Sequence, residues 1–137
     1  MHYTGMALQG PAAVAKAGID ALSATTCIEY GPRGITSNII APGPIMGTEG
    51  MERLGSREKE ASGAAFKAVP LQRYGTVKEI ADGTVYLFSD AGNFVNGEVL
   101  VIDGGCWRSP SGMGTSTPYP DYLLDGSFEK GGKKSKL

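Results

Sequence analysis

Two short runs in this chain are apolar at every position: Ile39-Ile40-Ala41 and Val99-Leu100-Val101-Ile102. A strand with one wet face alternates apolar and polar residues. These runs do not, so each has to be covered on both faces, the environment of a parallel sheet lying between helices. The segments around them carry helical spacing. Over residues 11–31, Val14, Gly18, Ala21, Leu22, Thr25 and Ile28 fall on one face, and Pro11 suits a first helical turn. That face is made small by Ala17, Gly18 and Ala21, so another backbone can approach it closely. Gly31-Pro32 predicts the end of the helix, because glycine caps it and proline cannot continue it. The first strand is predicted over residues 35–41 and is stopped by Pro42-Gly43-Pro44. A shorter helix around residues 51–67 is weakened by Gly55 and Gly63. Thr76-Val77-Lys78-Glu79 is a capping box and opens a helix to about Ser89, with Ile80, Thr84, Leu87 and Phe88 on one face. The second strand is predicted over residues 97–103, ended by Gly104-Gly105. The alternation is α/β, but two strands cannot make a stable doubly wound sheet. The sheet needs strands from outside this chain.

From Cys106 onward the periodicity is lost. Residues 109–120 are rich in Ser, Gly, Thr and Pro, and Lys130, Lys133, Lys134 and Lys136 make the end basic. Residues 106–137 are predicted to be a tail, ordered where Trp107, Tyr119, Tyr122 and Leu123 find something to pack on. The 137 residues carry 13 basic and 14 acidic side chains, a balance with no electrostatic footprint for nucleic acid or an anionic membrane surface. No apolar run approaches the ~20 residues that a membrane-spanning helix needs. Cys27 and Cys106 form neither a disulfide framework nor a zinc site, and Cys27 reads as a small core residue. No metal site is predicted.

Four stretches carry a resemblance. They are Ala15-Lys16-Ala17-Gly18-Ile19-Asp20-Ala21-Leu22 followed by Glu29-Tyr30-Gly31-Pro32-Arg33-Gly34-Ile35; Asn38-Ile39-Ile40-Ala41-Pro42-Gly43-Pro44-Ile45; Pro70-Leu71-Gln72-Arg73-Tyr74-Gly75 leading into Glu79-Ile80-Ala81; and Gly97-Glu98-Val99-Leu100-Val101-Ile102-Asp103-Gly104-Gly105. In this order and spacing, residues 1–105 resemble the C-terminal half of short-chain dehydrogenases/reductases, which implies half of a Rossmann-type doubly wound parallel sheet. Gly47-Thr48-Glu49-Gly50, followed by Arg53-Leu54, is similar to the peroxisomal 2,4-dienoyl-CoA reductase branch of that family. The final Ser135-Lys136-Leu137 has the form of a peroxisomal address read by an import receptor.

The resemblance assigns roles. Lys16 would be the active-site lysine, donating hydrogen bonds to the ribose hydroxyls of NADP, for which a compact three-donor ammonium is suited; without the motif it is a solvated helix lysine. Pro42-Gly43-Pro44-Ile45 lies just past a strand's C-terminal end, where open α/β sheets bind cofactors. Glycine would admit a flat ring and backbone groups at Ile45 would hold the carboxamide; taken alone, the segment is a strand-ending turn. Thr48 would bond the cofactor pyrophosphate, against an exposed loop threonine. Arg53 would reach coenzyme A phosphates of a fatty acyl-CoA substrate, with a surface arginine equally open. The helix over residues 11–31 would lie in the subunit interface of a homo-oligomer.

The chain also departs from the family. Many members carry a tyrosine four residues before the lysine, on the same helix face; here that position is Ala12. A Tyr–Lys pair protonating an alkoxide is therefore disfavoured, and the dienoyl-CoA reductases resemble this departure. Their task is hydride transfer to a conjugated diene, with donors for the thioester oxygen and a proton delivered to carbon. The proton-handling group is expected in the half not present here, with His2 and Tyr3 as local alternatives to a surface imidazole and a packed aromatic. The glycine-rich strand–turn–helix fingerprint does not occur, so a truncated copy beginning at an internal methionine is expected. Two other functions stand beside the reductase: a non-catalytic fragment binding intact subunits or the import receptor, and another short-chain oxidoreductase.

Overall fold

The computed structural model describes residues 9–49, 69–109 and 125. The first helix, α1, is Gly10–Tyr30, with Pro11 in its first turn. The α-helix ends where Gly31-Pro32 predicts, with Gly31 as its C-cap, but the chain does not reverse there. Gly31 stays right-handed (φ −51°, ψ −43°), and a 3-10 turn, Gly31–Arg33, follows. Pro32 occupies an opening position of that turn, where its fixed φ fits and a missing N–H is tolerated. The stop is Gly34, left-handed at φ 77°. Its N–H donates to the Gly31 carbonyl at 2.9 Å, and the Ile35 N–H donates to the Tyr30 carbonyl at 3.3 Å. Together they make the paired bonds of a Schellman ending.

Strand β1 is Ile39–Pro42 and strand β2 is Val99–Ile102. They are parallel, in the register Ile39↔Val99, Ile40↔Leu100, Ala41↔Val101, Pro42↔Ile102. The strand is shorter at its start than predicted because the Ile35 N–H closes the helix ending and asparagine side chains take up bonds at Ser37 and Asn38, although the Gly97 N–H still donates to the Ser37 carbonyl at 2.8 Å. The Ser37 N–H donates to Asn96 Oδ1 (2.8 Å), Asn38 Nδ2 donates to the Val95 carbonyl (2.8 Å), and the Glu98 N–H donates to Asn38 Oδ1 (3.0 Å). At the other end Pro42 belongs to the strand, and the Gly43 N–H takes up the next bond, to the Ile102 carbonyl at 2.9 Å.

Helix α2, Val77–Phe88, starts at the predicted capping box: Thr76 Oγ1 accepts from the Glu79 N–H (3.3 Å) and Glu79 Oε2 accepts from the Thr76 N–H (2.8 Å). It packs on both strands. Gly83 faces the sheet, where a Cβ would run into the tip of Ile102. Ile80, Thr84 and Leu87 are half-buried, as their shared face predicts. Phe88 is not: it is the helix's last residue and is 88% exposed, just before the 3-10 turn Asp90–Gly92. Among the described residues the buried apolar core is Ile45, Val69 and Cys106. Ile45 and Cys106 lie just beyond the C-terminal ends of the strands. No residue of α1 is buried; Val14, Leu22 and Ile28 are 74%, 66% and 76% exposed. The described sheet has two strands, a partial α/β domain.

Candidate functional site

The C-terminal ends of β1 and β2 stand side by side, and loop 42–48 leaves between them. Its first constraint is Gly43. A Cβ there would lie 2.5 Å from Asp103 Cβ and 2.6 Å from Asp103 Cα, so only glycine lets the loop cross β2 at this height. Asp103 in turn shapes the segment after β2. Its Oδ1 accepts from the Gly105 N–H (2.8 Å) and its Oδ2 from the Trp107 N–H (2.7 Å). Gly104 and Gly105 take the left-handed conformations (φ 65° and 85°) that bring these donors round. The 3-10 turn Cys106–Arg108 results, so the chain stays folded past the point where its periodicity ends, with the Arg108 guanidinium 4.0 Å over the Trp107 ring. Cys106 is buried beneath this turn. Burial, and then the Asp103 carboxylate, pushes its thiol above the ordinary range, the opposite of what a nucleophile needs. Cys27 is half-buried rather than a core residue, and its thiol points to the Ala24 carbonyl at 3.1 Å.

The second constraint is Gly75. Ile45 and Gly75 form an isolated parallel bridge. The Gly75 N–H donates to the Pro44 carbonyl (3.0 Å) and the Met46 N–H donates to the Gly75 carbonyl (2.9 Å). In a parallel bridge of this kind the flanking peptides make the bonds, and the central residue's own N–H and C=O point to the opposite side. The Ile45 side chain is buried, 8% exposed, while its carbonyl receives the Thr48 hydroxyl at 2.9 Å. Gly47, at φ 71°, allows the turn between them.

Gly75 itself is held from both flanks. Arg73 pairs with Glu79 through both of its terminal nitrogens, with Nη1 3.0 Å from Oε2, and Nη1 also donates to the Tyr74 carbonyl at 3.1 Å. The Arg73 hydrogen bonds, then the Thr76 N–H and hydroxyl, hold the Glu79 carboxyl well below its ordinary value, at about 2. The same bonds from Glu79 raise Arg73. A cavity of about 90 Å³ opens here, lined by Pro44, Ile45, Arg73, Gly75, Glu79 and Asp103 among others.

Of the residues singled out in the sequence, Pro42, Gly43, Pro44, Ile45 and Thr48 come together in this one loop. Lys16 is exposed on α1, and its ammonium makes no hydrogen bond or ion pair to another described residue. Arg53, the helix around residues 51–67, His2, Tyr3 and Ser135-Lys136-Leu137 lie outside the described residues. The sequence reading missed the Gly75 clamp, the Asp103 carboxylate and the Asn38 and Asn96 bridges. Asp103 had a signal: Asp followed by two glycines is the composition of a turn built on a side-chain carboxylate. Among the described residues no cluster of His, Cys, Asp or Glu could hold a metal ion, and no helix is long and apolar enough to cross a membrane.

Parallel strands covered by a capped helix, with a proline- and glycine-shaped loop at their C-terminal ends, define part of a doubly wound α/β domain. Comparison with known proteins makes the class specific. Residues 3–106 match the family described as enoyl-(acyl carrier protein) reductase. The peroxisomal 2,4-dienoyl-CoA reductase of Saccharomyces cerevisiae is 47% identical over 94% of this chain and 43% of its own length. That of Danio rerio is 49% identical over 78% of this chain and 35% of its own. Among solved structures, a short-chain dehydrogenase of Bacillus anthracis superposes with a TM-score of 0.57 at 40% identity, covering 68% of this chain and 35% of its own. An Agrobacterium tumefaciens protein described as a candidate 2-deoxy-D-gluconate 3-dehydrogenase, with bound NADP, gives 0.60 at 34% identity, covering 68% and 37%. The chain belongs to the short-chain dehydrogenase/reductase family. It spans about two fifths of the length of the yeast relative, with 43% covered.

Proposed function

We propose that this chain is the C-terminal portion, residues 1–105 with a tail at 106–137, of an NADP-dependent reductase acting on 2,4-dienoyl-CoA in peroxisomal oxidation of unsaturated fatty acids. The observation that carries the reading is the 47% identity with a peroxisomal 2,4-dienoyl-CoA reductase across 94% of the chain. The names of the yeast and zebrafish relatives specify a (3E)-enoyl-CoA product, whereas a Bacillus subtilis relative, 44% identical over 72% of the chain, is named for a (2E)-enoyl-CoA product. The peroxisomal form is favoured here, with the double bond left one position further from the thioester.

The residues take these roles. Bound NADPH would supply the hydride. Gly43, whose missing side chain lets the loop lie directly against Asp103, would offer its opposite backbone face to a flat ring, and Pro42 and Pro44 stiffen the loop on either side of it. The Ile45 N–H, turned away from Gly75, is a fixed donor for a carboxamide oxygen. The Thr48 hydroxyl proton is engaged by the Ile45 carbonyl, so contact with a pyrophosphate requires the hydroxyl to rotate or the Thr48 N–H to serve. Lys16 would bind the ribose hydroxyls. Counting back from Cys27 at about 1.5 Å per residue, it stands about 16 Å up α1. The chain from Asn38 to Gly43 climbs about the same distance at about 3.3 Å per residue. A helix returning beside the strand would thus carry Lys16 to the level of loop 42–48. Arg53 is assigned to coenzyme A phosphates, and Ser135-Lys136-Leu137 to the peroxisomal import receptor.

The exposed face of α1 favours a second role within the same family, contact with intact subunits of a homo-oligomer without catalysis by this chain alone. The two readings part in one assay: NADPH oxidation by the purified chain with a 2,4-dienoyl-CoA, a ketone and no acceptor. Oxidation with the dienoyl-CoA only, giving a (3E)-enoyl-CoA, supports the reductase. Turnover of the ketone overturns the substrate class. No turnover, with co-purification of a full-length subunit, leaves the contact role.

A further inference from the structure

We infer that Gly75 and the Thr76–Glu79 capping box set the position of Ile45, making the first turn of α2 a positioning device for loop 42–48. The consequence for cofactor affinity rests on reading that loop as the nicotinamide-facing one; the mechanical part does not. Backbone hydrogen bonds tie the loop to the rest of the described fold in two places. One is the crossing of Gly43 over Asp103, a direct continuation of the strand pair. The other is the Gly75 bridge, whose two bonds hold the peptides on either side of Ile45. This second contact depends on where Gly75 is, and one carboxylate decides that. Glu79 accepts from Arg73 on one flank of Gly75, and from the Thr76 N–H and hydroxyl on the other.

The approach to Gly75 is also constrained. Gln72 is left-handed (φ 55°), the one described non-glycine residue in that region, and its backbone N–H and side-chain Nε2 both donate to the Val69 carbonyl at 2.8 Å. Val69 is 2% exposed, so the segment is anchored at its start in the core and at its end in the helix cap. Gly75 then meets Ile45 closely: a Cβ on Gly75 would lie 2.7 Å from Ile45 Cδ1. Side chain and backbone of Ile45 are therefore gripped from the same side, and its own N–H faces the other way.

Arg73 and Glu79 bond to each other, Tyr74 and Thr76 rather than to the loop, and thus act on it through Gly75. They are positioning residues. The test compares the chain with its Glu79→Ala, Glu79→Gln and Gly75→Ala variants. Glutamine at this position keeps the capping acceptor and loses the charge. Two quantities are read: amide exchange at Met46 against that at Leu100 and Ile102, and the dissociation constant for NADPH. Glu79→Ala is expected to speed Met46 exchange and to weaken NADPH binding by about fivefold each, with Leu100 and Ile102 unchanged, and Glu79→Gln to restore both to within about twofold. Gly75→Ala, with the box intact, is expected to release Met46 as selectively. Unchanged Met46 exchange, or equal acceleration at all three amides, would overturn the inference. If the unaltered chain does not bind NADPH while Met46 is still released selectively, the positioning stands and the cofactor reading falls.

Discussion

The two halves of the described structure solve the burial problem differently. Helix α2 lies on β1 and β2 with its small residue Gly83 against the sheet, its N-terminus closed by a capping box and its loop tied down by Gly75. Helix α1 is longer, yet its apolar face of Val14, Leu22 and Ile28 is open, and half-burial is confined to scattered residues such as Ser23, Thr26 and Cys27. It is joined to the rest at its far end by Ser23 Oγ with Ser37 Oγ at 2.9 Å and Asn96 Nδ2 to the Cys27 carbonyl at 3.2 Å, beside the close approach of Cys27 to Gly97. Hydrogen bonds of this kind contribute only about 1 kcal/mol each, too little to replace a buried face. The lesson is that helical spacing identifies an apolar face without identifying its cover. On α2 the cover is in the chain; on α1 the face of Val14, Leu22 and Ile28 stays open.

The sharpest way to break this contrast is to place equal perturbations in both halves. Gly43→Ala forces a methyl into the backbone of Asp103 and is expected to cost about 2–3 kcal/mol in urea unfolding. Leu22→Ala removes a larger group from α1 and is expected to change stability by no more than about 0.5 kcal/mol, because Leu22 is already 66% exposed and alanine is the better helix former. Equal losses would mean that α1 is covered within the chain.

A smaller effect sharpens the account of α2. Glu79 is held at about 2 against its ordinary 4.5. A depressed carboxylate stabilises fully above its unfolded value and loses that contribution as the pH falls through its folded value. The Glu79 contribution is therefore complete above about pH 4.5 and fades between 4.5 and about 2. The pair is solvent-exposed, so the loss is modest and shrinks further in salt. Thermal unfolding across this window should show it, and Glu79→Gln should flatten the curve.

What could be read in the sequence was local. The Thr76 and Glu79 box is three residues apart and its chemistry is self-contained. The doubly apolar strands announce a parallel sheet, and Pro42-Gly43-Pro44 marks the loop at its edge. What could not be read depends on partners far along the chain. Residues 35–38 carry strand-forming composition, but Ile35 bonds back to Tyr30, the Ser37 N–H to Asn96, and the Asn38 side chain bridges residues 95 and 98. Gly31 has the right identity for a helix stop, yet Pro32 starts a further turn and Gly34 is the residue that reverses. Gly75 is one glycine in a loop until it is seen pairing with Ile45, thirty residues earlier, through a single bridge. Phe88 sits on the predicted face but at its last position, where the chain has already begun to turn away.

The contrast between the halves is tested most directly by segment-resolved hydrogen exchange on the unaltered chain at low concentration. The account predicts that amides of β1, α2 and β2 are protected at least about tenfold more than those of α1. Protection of α1 equal to that of β2 would contradict it, since a helix whose face of Val14, Leu22 and Ile28 is open cannot hold its bonds as firmly as a strand pair with a helix packed across it.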